Sequence, residues 1–152
     1  MIIRKARKSD IRKISLMRRK TIRAINSKIY PKKIIEILIE KNSTKNILQK
    51  MKERIIFCAF ENDILLGTID FEGNKIGGLY VNPKYLKKGI GKKLLDYLET
   101  YSKKKGVKRL MLYSTLTAEK FYIKQGYKLK KNEIGWENIC PVRVPVMEKK
   151  LR

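Results

Sequence analysis

The chain has 152 residues, a length that suits one domain around one hydrophobic core. Its 38 Lys and Arg against 14 Asp and Glu give a formal net charge of +24, a balance that attracts nucleic acid, anionic membrane or phosphorylated cofactors. The absence of histidine removes His-based nucleophile triads and most zinc sites, and no apolar run approaches the roughly 20 residues of a membrane span.

The first ten residues, "MIIRKARKSD", lack the apolar stretch of a secretory signal. Ser9 suits the N-cap of a first helix, with Asp10 in its first turn and Ile11, Ile14, Met17, Ile22 and Ile25 at roughly helical spacing. Pro31 suits the first turn of a second helix that carries Ile34, Ile35, Leu38 and Ile39. "STKNILQKMKE" reads as a short third helix. "RIIFCAF" and "LLGTIDF" are strand-length apolar runs joined by a turn at Asn62-Asp63, so residues 54–71 read as a hairpin.

"KIGGLYV" continues as a strand in which Gly77 and Gly78 signal a bulge or the close approach of another group. Ile90, Leu94, Leu95, Leu98 and Tyr101 mark an amphipathic helix that Gly106 ends. "RLMLY" reads as a buried strand and "TLTAEKFYIKQ" as a short helix with a Thr cap. "YKLKK" and "CPVRVPVMEKKL" read as two final strands. No repeat, low-complexity segment or linker divides the chain, so residues 1–152 read as one α/β domain around a mixed sheet. Cys58 and Cys140 read as buried free thiols of a reducing, cytoplasmic compartment, and no metal-ligand spacing is present.

The chemistry concentrates in "VNPKYLKKGIGKKLLDYLE". A strand that runs through glycines into a helix N-terminus aims several unpaired N–H groups one way, and the helix dipole adds positive charge there. Such a turn holds an anion, phosphate above all. Gly89 and Gly91 remove blocking side chains, while Lys87, Lys88, Lys92 and Lys93 add counter-charge. The spacing fits neither a Walker loop nor a dinucleotide fingerprint.

"LYVNPKYLKKGIGKKLLDYLE", followed after one helix and one strand by "TAEKFYIKQGYK", resembles the GCN5-related N-acetyltransferase (GNAT) family. The order of elements along the whole chain resembles that family too. The resemblance implies an α+β fold. Its central sheet is mixed but mostly antiparallel, with about six to seven strands flanked by helices and a V-shaped opening between the fourth and fifth. It implies an acetyl-CoA-dependent N-acetyltransferase whose primary-amine acceptor, on a small molecule or peptide, attacks the thioester directly. Leu79, Tyr80 and Val81 match the strand that pairs with the pantetheine arm and polarises the thioester. Lys87, Lys88, Gly89, Ile90, Gly91 and Lys92 match the pyrophosphate loop. Tyr122 matches the acid that protonates the leaving thiolate; read alone, it is an aromatic core residue beside Phe121. An unperturbed phenol, with a pKa near 10, suits that transfer.

The chain departs from the family's pattern at three places. Leu86 replaces the Arg or Gln that opens the loop, which removes a side-chain contact to phosphate but leaves the N–H cradle. Thr117 replaces an asparagine and still offers the cofactor a hydroxyl. Gly77-Gly78 stands where many relatives carry a basic glutamate, so the general base is open between Asp70, Glu72 and water, with a solvated strand end as the plain reading of both acids. Tyr30 is either a pocket residue or packing. Two rival readings remain: a basic nucleic-acid-binding protein on the same scaffold, and an acyl-CoA-binding protein without catalysis. No helix-turn-helix, RNA or zinc-finger motif points to a specific nucleic acid. The oligomeric state is open, a homodimer included, and no membrane partner is expected.

Overall fold

The computed structural model describes residues 1–152. Its strands are β1 (Ile2–Lys5), β2 (Ile55–Glu61), β3 (Ile64–Glu72), β4 (Lys75–Val81), β5 (Arg109–Tyr113), β6 (Lys128–Gly135) and β7 (Val142–Lys150). They form one sheet in the order β1-β2-β3-β4-β5-β7-β6, antiparallel throughout except where β4 meets β5. The helices are α1 (Ile11–Ala24), α2 (Lys32–Lys41), α3 (Thr44–Glu53), α4 (Ile90–Lys104) and α5 (Glu119–Lys124).

The unbroken apolar runs of β2 and β3 follow from burial on both faces. Phe57, Ala59, Ile69 and Phe71 pack with Leu94, Leu95 and Leu98 of α4. Ile56, Cys58 and Phe60 pack on the other face against Ile14 and Met17 of α1 and Ile47 of α3. The expected elements are present, and the mixed, mostly antiparallel sheet is as anticipated. One strand, β1, adds to those expected, and three local expectations are corrected, the first being the Thr cap of α5, whose N-cap is Ala118 with no side-chain cap. β1 carries no strand signal of its own; it is a four-residue edge strand whose register is set by β2. Ser9 lies within a short 3-10 turn, Lys8–Asp10, and the Asp10 carboxylate instead accepts from the Arg7 N–H at 2.7 Å and from Arg4. Cys140 is exposed, because it sits in the loop between β6 and β7, whereas Cys58 is buried.

The opening between β4 and β5 is real. The two strands pair only at Lys75↔Met111 and Ile76↔Leu112, and the rest of β4 has no partner on that side. The β3–β4 register shifts between Ile69 and Phe71, where Gly77 and Gly78 together face the single residue Asp70. That two-against-one count is a bulge, and a bulge bends its strand. Gly77 is required by close approach: a Cβ there would lie 2.8 Å from the Asp70 Cβ and 3.0 Å from Arg54 Nη1.

Beneath the bulge, Arg18 of α1 is fully buried. Its Nε donates to Thr68 Oγ1 at 2.9 Å, and its Nη1 and Nη2 donate to the two Asp70 oxygens. The guanidinium also lies over the Tyr80 ring, 4.7 Å from its centroid. Arg18→Met should destabilise the fold by about 3–5 kcal/mol, because it strands the Asp70 carboxylate inside the protein with only Arg54, 3.8 Å away, as a partial partner. The midpoint of denaturant unfolding measures this, and a loss below about 1 kcal/mol would show that the pair carries little of the fold.

Candidate active site

A cavity of about 740 Å³ occupies the fork between β4 and β5. Its first wall is the free edge of β4. The Asn82 N–H donates to the Leu66 carbonyl at 2.8 Å. Alternation along the antiparallel ladder then turns the Tyr80 main chain toward β3, and that of Leu79 and Val81 toward the fork. The Val81 carbonyl accepts from Thr21 Oγ1 at 2.9 Å. The Leu79 and Val81 N–H groups face the cavity. Tyr80, matched with these two in the sequence, lines the cavity, while its ring packs on Arg18 and burial raises its phenol pKa.

The second wall is the turn into α4. Lys87 and Gly89 adopt left-handed backbone at φ 61° and 77°, and Gly89 caps the helix. No main-chain N–H from Leu86 to Lys92 makes a hydrogen bond. Seven consecutive unbonded donors at a helix N-terminus are an arrangement able to take an anion. A Cβ on Gly89 would meet nothing within 4 Å. Ile90 offers its N–H while its side chain sits in the core. Lys87 and Lys92 line the cavity, Lys92 in an exposed pair with Asp96 at 2.6 Å, and Lys88 lies over the Tyr85 ring, 5.5 Å from its centroid.

The third wall is α5 and the turn before it. The Tyr122 side chain is 4% exposed and meets Phe121 and Tyr127 edge to face, with centroids 5.2 and 5.6 Å away. Its hydroxyl, unlike those of Tyr30 and Tyr127, hydrogen-bonds no protein group, and the residue lines the cavity. Burial, with a smaller contribution from Tyr80, pushes its pKa well above the ordinary phenol value. The unperturbed phenol assumed from sequence is therefore corrected: Tyr122 holds its proton firmly. Thr117 lines the same wall, its hydroxyl 2.8 Å from that of Thr115. Lys120 and Lys124 also line it; their spacing of four on one helix face was a readable signal that sequence reasoning missed.

No Asp or Glu lines the cavity. Both candidate bases lie elsewhere. Asp70 is 2% exposed and held by Arg18, not solvated at a strand end. Glu72 is at the far end of β3, its side chain half exposed, 3.9 Å from Arg54. Tyr30 is packing: it is 7% exposed, clusters with Ile22, Ile34 and Ile35, and its hydroxyl accepts from the Leu116 N–H at 3.1 Å. Sequence reasoning also missed Thr21, whose contact with Val81 spans 60 residues of chain.

Residues 27–150 match the family described as the acetyltransferase (GNAT) domain. The chain belongs to the GNAT acetyltransferase family. It is an N-acetyltransferase, and acetyl-CoA is its co-substrate. It is 32% identical to a spermidine N(1)-acetyltransferase of Thermoplasma acidophilum, an alignment that covers 84% of this chain and 88% of the relative. Its fold matches the PaiA N-acetyltransferase of Thermoplasma acidophilum, solved in complex with coenzyme A, at a TM-score of 0.84 and 29% identity over 98% of each chain. A GCN5-related N-acetyltransferase of Rhodopseudomonas palustris shares the fold at a TM-score of 0.90 and 20% identity, over 99% of this chain and 95% of that one. No helix is long and apolar enough to cross a membrane.

The two buried tyrosines separate by one control. Tyr30→Phe should cost about 1–2 kcal/mol of stability, because it leaves the Leu116 N–H unpaired. Tyr122→Phe should unfold within about 0.5 kcal/mol of the unsubstituted protein, because its hydroxyl, unlike that of Tyr30, bonds no protein group. Chemical denaturation of the two variants side by side checks the contrast.

Proposed function

We propose that this chain transfers the acetyl group of acetyl-CoA to a primary amine by direct attack within the β4–β5 fork. The carrying observation is the row of unbonded N–H groups from Leu86 to Lys92, in the same cavity as the free edge of β4 and the Tyr122 hydroxyl. The pyrophosphate would take the cradle formed by the main chain of Lys87, Lys88, Gly89, Ile90, Gly91 and Lys92, with the lysine side chains as counter-charge. Leu86 contributes no side-chain contact to phosphate, and the backbone donors suffice without it. The pantetheine arm would extend along Leu79, Tyr80 and Val81, bonding to the main chain that β5 leaves open. Thr117 would contact the cofactor from the facing wall.

At the thioester, a β4 N–H facing the fork would stabilise the oxyanion that forms as the amine adds. Collapse of that intermediate breaks the C–S bond, Tyr122 gives its proton to the departing thiolate, and the proton shed by the acylated nitrogen passes to water, from which Tyr122 is reprotonated. Burial raises the phenol, but it also raises a thiolate formed in the same desolvated fork, so the transfer stays close to balanced. In this reading Tyr122 acts as acid and not merely as packing.

Tyr122→Phe should lower turnover by about a hundred- to ten-thousand-fold while acetyl-CoA affinity, measured by calorimetry, stays unchanged. A rate within about twofold of the unsubstituted protein would return Tyr122 to the core and leave water or the acceptor ammonium as proton source. Gly89→Val should weaken acetyl-CoA binding by about ten- to a hundredfold; its Cβ meets no neighbour, but a β-branched residue at φ 77° strains the turn, so the unfolding midpoint is measured beside the affinity and must show a folded variant. Unchanged affinity in that variant would remove the loop from the binding site.

A further inference from the structure

We infer that the acceptor is a weakly basic amine on an uncharged body, an α-amino group rather than the alkyl ammonium of a polyamine or a lysine side chain. The inference rests on the acetyltransferase reading above.

An amine attacks only through its lone pair, so an ammonium must first lose a proton. At neutral pH the usual side-chain acceptors are carboxylate and imidazole, whereas phenol and ammonium groups ordinarily hold their protons. The cavity offers neither acceptor: the chain has no histidine, and no lining residue is Asp or Glu. The nearby carboxylate, Asp70, is buried behind the bulge with both oxygens engaged by Arg18. Tyr80 and Tyr122 are both raised by burial and are donors, not bases. The fork therefore takes the amine in the protonation state that solution supplies.

Solution chemistry then selects. At about pH 7 an α-amine with a pKa of about 7.7–8.0 is roughly 10–17% neutral, while an alkyl amine with a pKa of about 10.4 is roughly 0.04% neutral. The ratio is about 200- to 400-fold. The weaker base is also the weaker nucleophile, which returns part of that factor and leaves an advantage of about tenfold or more.

Charge selects in the same direction. The charged side chains lining the cavity are Lys87, Lys92, Lys120 and Lys124, so the second and third ammonium groups of a polyamine find no counter-ion. The wall from α1, the turn after it and α2 is Ile22, Ile25 and Leu38 with the neutral Thr21 and Asn26, and it suits an apolar or amide-bearing body. The chemistry of this wall therefore does not favour spermidine, which the name of the curated relative specifies.

The test compares three amines with acetyl-CoA by thiol release: leucinamide, isopentylamine (the same branched body without the carboxamide) and spermidine. We expect kcat/KM at about pH 7 to favour leucinamide over isopentylamine by about tenfold or more, with spermidine lowest. The gap between the first two should narrow at about pH 9.5, as the alkyl amine gains its neutral form. Spermidine as the best acceptor, or equal rates for leucinamide and isopentylamine at about pH 7, would overturn the inference and leave the acetyltransferase reading standing. No turnover of any of the three above the amine-free background at either pH would overturn that reading, and the inference with it.

Discussion

The fork depends on one buried contact, the Arg18–Asp70 pair under the β4 bulge. A guanidinium and a carboxylate removed from water are costly unless every donor and acceptor is used. Here Arg18 uses Nε on Thr68 and both Nη groups on Asp70, while its face covers the Tyr80 ring. Asp70 can sit there only because the residue above it has no side chain. Gly77 lets β4 ride directly over the carboxylate, and Gly78 supplies the extra residue that bends the strand. Beyond Ile76, β4 leaves β5 and presents an unpaired edge. The same two glycines stand where a basic glutamate is common in the family, so the device that opens the fork coincides with the absence of a carboxylate from it.

Surface and cavity carry different messages about charge. The +24 average describes a surface that attracts many anions and selects none. Within the fork the cationic groups have a narrower arrangement. Main-chain donors at the start of α4 provide directed contacts, and four lysines provide field around them. This matches the polyanionic end of acetyl-CoA. The wall from α1, the turn after it and α2 is neutral, so the two ends of one cavity differ in chemistry.

Much of this was readable along the chain because it is local. The runs in β2 and β3 announced burial on both faces, and the Ile90–Leu98 periodicity announced α4. The double glycine announced a bulge, and Gly89 next to a helix start announced the anion cradle. What could not be read is non-local. Arg18 and Asp70 are 52 residues apart, so the carboxylate looked like a solvated strand end. Tyr30 and Leu116 are 86 apart, so a hydrogen-bonded packing residue stayed open between pocket and core. β1 has too few residues for a periodic signal and takes its strand form from pairing with β2. The proton affinity of Tyr122 depends on burial that no sequence window contains.

The central claim is that the free edge of β4 receives the pantetheine arm of acetyl-CoA. Amide hydrogen exchange tests it residue by residue. The Leu79 and Val81 N–H groups face the fork, whereas that of Tyr80 faces Thr68 on β3. Saturating acetyl-CoA should slow exchange at Leu79 or Val81, wherever the arm bonds, and leave Tyr80 protected to the same degree with or without it. If the cofactor binds yet exchange at both Leu79 and Val81 is unchanged, the arm does not lie along β4 and the proposed geometry of the reaction is wrong.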